Sequence, residues 1–134
     1  FGVLYTNSTF LSDFPTAAED FMRAAMMGLA DALADPKAAA DVAVDMINAN
    51  GNAAFLSPEG EIARWAVETT LISESTASDL PIGVPDISLL ETEVNTYAEI
   101  GLFDGQVPDI TTVVNLTLVL ALYDDNAKVI WPST

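Results

Sequence analysis

The chain has 134 residues, 51% of them hydrophobic, with 20 acidic residues against four basic ones and no histidine or cysteine. That is enough for one domain at most, with a real core, and too apolar for wholesale disorder. The net charge of −16 repels phosphate backbones and anionic membrane surfaces, which excludes nucleic acid as a partner; the missing residue types remove the usual neutral-pH base, thiol chemistry, disulfides and Cys-based zinc sites.

The opening Phe-Gly-Val-Leu has neither Met nor a basic-then-apolar leader, so the sequence predicts a processed chain or a piece of a longer protein. Gly2–Tyr5 reads as a short strand, apolar and partly β-branched, and Thr6–Thr9 as a polar turn. Thr16 and Glu19 have capping-box spacing, and a helix is expected over about 15–34. Phe14, Ala18, Phe21, Ala25, Gly28 and Ala32 step by three and four along it, and Met22, Met26, Leu29 and Leu33 form a second apolar stripe. A helix with two stripes requires cover on both sides.

Asp35-Pro36 stops this helix and starts another over about 36–50, since Asp caps well and Pro suits the first helical position. Its expected buried face is Ala39, Val42, Ala43, Met46 and Ile47, with Gly51 as left-handed cap. Ser57-Pro58 begins a third helix, about 58–73, burying Ile62, Trp65, Ala66, Thr69 and Ile72. A Ser-, Thr-, Gly- and Pro-containing loop follows. Asp86 or Ser88 caps a fourth helix, about 87–101, lined by Leu90, Val94, Tyr97, Ala98 and Gly101. The segment 110–124 has two readings. Its β-branched run Ile110–Val114 favours a strand; its Asp109 cap and the spacing of Val113, Leu116, Leu120 and Tyr123 favour a helix, which is the reading adopted. Lys128–Pro132 reads as a short strand or an extended arm. The apolar run Leu116–Tyr123 is far shorter than the ~20 residues of a membrane span.

Two phrases are ordered like those of a known family. Phe21, Ala24, Gly28, Ala32, Asp35, Pro36, Ala39 and Ala40 form the first, and Gly83, Asp86, Gly101 and Leu102 the second. Across about residues 3–123 the chain resembles the C-terminal part of extracytoplasmic solute-binding proteins of the thiamine-precursor-like (NMT1/THI5-like) group. The resemblance implies a mainly α piece of a two-lobed α/β periplasmic-binding-protein (type II) fold, with Gly2–Tyr5 as a strand returning between the lobes. It implies a non-catalytic receptor for a small nutrient, such as a thiamine pyrimidine precursor, serving an ABC permease in the membrane. It also implies that an N-terminal lobe, or another copy, covers the apolar faces of the first helix. The tail 116–134 departs from the family pattern.

The candidate ligand contacts are Tyr5, Thr6, Asn7 and Ser8, just after the presumed hinge strand, where polar groups commonly donate into a cleft. The competing reading is an ordinary turn in which Asn and Ser bond their own backbone. Trp65 and Tyr97 are expected in the core, and the four methionines as core filler. Asp124-Asp125 and Glu59/Glu61 lack the alternating oxygens and glycine of a calcium loop, and no phosphate loop, nucleophile elbow or metal-ligand helix is present. No catalytic residue, cofactor or metal is therefore expected. The alternative function is a stand-alone helical interaction domain without a pocket.

Overall fold

Helix starts in this chain are set by single side chains. In the computed structural model, which describes residues 3–51, 57–75 and 80–131, Asn7 Oδ1 accepts from the Phe10 amide at 2.7 Å and opens α1, Ser8–Asp13. Pro15 begins α2, Pro15–Ala34. Asp35 Oδ1 accepts from the Ala38 amide at 3.0 Å and Pro36 takes the first position of α3, Pro36–Asn50. Ser57 Oγ accepts from the Gly60 amide at 2.8 Å at the head of α4, Pro58–Ser75. Asp86 caps α5, Ile87–Glu99, Asp109 caps α6, Ile110–Val113, and Asn115 caps α7, Leu116–Leu120. Each such oxygen satisfies an amide that the helix cannot pair internally. At the other end of α3, Gly51 adopts φ 65° and returns its amide to Ile47 O, a left-handed cap that a side chain would strain.

The mainly helical character read from the sequence is what the structure has; among the described residues no strand forms. Four expectations need correction. Val3–Tyr5 make no strand, and Gly2 lies outside the described residues. A strand needs an edge to pair with, and none of the described residues supplies one. The Thr6–Thr9 turn is also displaced, because the Asn7 cap pulls Ser8 and Thr9 into α1. The single helix expected over 110–124 is broken: Val114 is extended (φ −105°, ψ 117°) and Asn115 accepts from the Leu118 amide to start afresh. Thr16–Glu19 does not act as a reciprocal box either, since Glu19 reaches forward to Arg23 at 3.2 Å.

The chain divides into two compact units, residues Phe1–Arg23 with Ala77–Thr134, and residues Ala24–Thr76. In the first, α5 packs on α6, and the buried side chains are Ala18, Val84, Ile110, Val119 and Leu122. Leu122 is fully buried. After α7 the chain turns through Asp124–Lys128 into a minimal hairpin, with one antiparallel bridge between Tyr123 and Val129 and the Ile130 amide donating to Leu122 O at 2.7 Å. The tail thus reads as a short pairing, carried by one bridge.

In the second unit, α3 and α4 pack as a helical hairpin. Ala40 and Val44 are buried, and the Trp65 indole N–H donates to Ala32 O at 3.3 Å. The inward face of α3 is Ala39, Ala40, Ala43, Val44 and Ile47, while Val42 and Met46 face solvent. The expected face was therefore rotated by about one position. Three of the five inward residues are alanines, Ala39, Ala40 and Ala43, and the larger Val42 and Met46 are left outside.

Two measurements test this account. Asp35→Ala should cost about 1 kcal/mol of stability in urea unfolding, whereas Asp35→Asn should cost little, because both Asp and Asn cap well. Leu122→Ala should cost about 2–5 kcal/mol, the usual range for emptying a sealed site; a loss below about 1 kcal/mol would show that Leu122 anchors nothing.

Candidate functional site

The four residues singled out for ligand contact lie together on the segment leading into α1, and all four are exposed. Tyr5 is 93% exposed. The Asn7 carboxamide oxygen is engaged by the Phe10 amide, as the cap of α1. Tyr5, Thr6, Asn7 and Ser8 line no part of the cleft described next.

That cleft lies in the first unit, where the Leu80–Pro85 turn and the start of α5 face α7. It encloses about 350 Å3 and is open on one side. Its walls are apolar, from Leu80, Val84, Pro85, Ile87, Leu116 and Leu120, with Asp86 and Ser88 as the polar edge. The turn is built by sequence: the Val84 amide donates to Pro81 O at 3.0 Å, and Gly83 takes φ 81°, the positive φ that the third position of a type II turn requires. The Tyr123 hydroxyl donates to Ile82 O and fastens the turn to the C-terminal hairpin. Partial burial raises the Tyr123 pKa above the ordinary phenol value, which keeps the hydroxyl a donor at neutral pH. The Asp86 carboxylate is already employed. Its Oδ1 accepts from the Ser88 hydroxyl at 2.7 Å and from the Ser88 and Leu89 amides at 2.9 and 3.3 Å, and these bonds, the hydroxyl's foremost, hold its pKa below the usual carboxylate value. The cleft can take up an apolar group; it has no convergent set of free polar atoms to orient one.

The more extensive feature is exposed apolar surface. On α2, Ala18 is buried and Met22, Met26, Leu29 and Leu33 are half-buried, while Phe21 is 63% exposed and Met27 is also open. A side chain built on Gly28 would meet no atom within 4 Å. One expected stripe of α2 is thus half-covered, and the other is divided between Ala18, Ala25 and Ala32 inside and Phe14, Phe21 and Gly28 outside. In the second unit Val42 and Met46 on α3 and Val67 and Leu71 on α4, each pair one turn apart, are exposed. On α5 Leu89 is exposed, as is Ile100 just after it, and Tyr97, expected in the core, points its hydroxyl at Glu93 Oε1 at 2.9 Å. Met27 and Met46 are not core filler.

Charge is distributed evenly by contrast. Arg23 pairs with Glu19 and Asp20 at 3.2 Å, Lys37 with Asp41 at 2.6 Å, and Arg64 with Glu61 and Glu68. All are one-turn pairs within a helix, worth a few tenths of a kcal/mol each. Among the described residues no group of three or more acidic side chains is placed to hold a metal ion, and no helix is long and apolar enough to cross a membrane. No protein-family model, curated protein or solved structure matches the chain.

Two predictions follow from these electrostatics. The Lys128 and Asn126 amides donate to Asp124 Oδ1, both at 2.9 Å, and hold its pKa low, with Lys128 the larger contributor. A carboxyl depressed in the folded state stabilises above its unfolded value and loses that contribution as pH falls through the folded one. The stability advantage of wild type over Asp124→Asn should therefore be full above about pH 5 and vanish by about pH 2, read from urea midpoints across that range; a gap that widens on acidification would overturn the assignment. Separately, raising NaCl from about 0.1 M to about 1 M shortens the screening length from about 10 Å to 3 Å. With an excess of 16 negative charges, the melting temperature should rise, because self-repulsion is screened more than the short helix pairs are weakened.

Proposed function

We propose that this chain is a non-catalytic docking module, whose apolar helix faces rest on another protein body. The observation that carries this reading is the exposure of Phe21 on α2, with Val42 and Met46 on α3 and Val67 and Leu71 on α4 likewise open. Exposed apolar area beyond a few hundred Å2 marks an interaction surface in soluble proteins. Large exposed side chains flanked by small ones are suited to protein contact, since the large residue anchors and the small ones admit close approach.

A second reading names the body. In it the chain is the C-terminal part of an extracytoplasmic solute-binding protein of the thiamine-precursor-like group, and the faces of α2 meet the lobes of that receptor. The receptor would close on a small heteroaromatic nutrient and present it to an ABC permease, ligand binding shifting the balance between open and closed states. The stop at Ala34 and restart at Pro36, at the positions of the resemblance, favour this reading. The cost of the reading is the segment Val3–Tyr5, which would have to become a strand once a partner edge is present. Tyr5, Thr6, Asn7 and Ser8 would then approach the hinge.

Site-specific photo-crosslinking decides between these outcomes. A photoreactive phenylalanine analogue is placed at position 21, with position 59, on the exposed first turn of α4, as control, in cells that produce the protein natively. The docking reading expects adducts at position 21 in at least tenfold excess over position 59, with a defined protein mass. A partner encoded in the same reading frame, together with pyrimidine binding measurable by calorimetry, supports the receptor; a defined separate protein without pyrimidine binding supports the stand-alone module. Equal labelling at the two positions overturns both.

A further inference from the structure

We draw no further inference here: the strongest candidate, the open apolar cleft between the Leu80–Pro85 turn and α7, has its one carboxylate, Asp86, already engaged in capping α5, and nothing in the structure shows what occupies it.

Discussion

A side-chain oxygen at the head of a helix is the constraint on which the local structure of this protein depends. Asn7, Asp35, Ser57, Asp86, Asp109 and Asn115 each accept from an amide two or three residues ahead. Each such cap is worth about 1 kcal/mol. They fix where the chain turns helical, and Pro36 and Pro58 reinforce two of those positions. Against this, seven of the described residues are buried by their apolar side chains, and among these Leu122 alone is both large and fully enclosed. The helices are well defined individually and weakly sealed collectively.

The consequence is a surface on which apolar groups and carboxylates coexist at high density. Unpaired carboxylates keep such a chain dispersed, because net charge far from zero opposes association. Apolar faces do the opposite, since removing their area from water is favourable at roughly 25 cal/mol per Å2. The two tendencies meet on α2, where Glu19, Asp20 and Arg23 form a mutually compensated cluster while Phe21 lies open. A surface of this kind favours a partner that meets the open apolar groups without burying unpaired acids. Buried unpaired charge costs several kcal/mol, so the neutral stretches, rather than the acid-rich ones, are where docking is energetically accessible.

The first unit shows how a small polar network can substitute for a larger core. Leu122 is sealed in the interior, the next residue sends its hydroxyl to Ile82 O, and the one after that organises the hairpin through Asn126 and Lys128. Three consecutive residues therefore tie the C-terminal hairpin to the turn that shapes the cleft. The geometry of the cleft depends on the tail. In the second unit the Trp65 indole bond to Ala32 O plays a comparable part, orienting α4 on the last turns of α2.

What the amino-acid sequence determined by itself was local. The ends of α2 and α3, the start of α4 and the cap of α5 were legible because caps, prolines and Gly51 act within a few residues of themselves. The same logic operates at Asn7 and Asn115, each of which caps a helix where the surrounding pattern favours a turn at one and a continuous helix at the other. Which side of α3 faces inward, the exposure of Met46 and Tyr97, and the absence of a strand at Val3–Tyr5 were decided by tertiary structure. Burial is a property of the neighbour as much as of the residue: periodicity identifies an apolar stripe, but only the packing of alanine-lined helices, and the lack of a strand edge to pair with, fixes which stripe is covered.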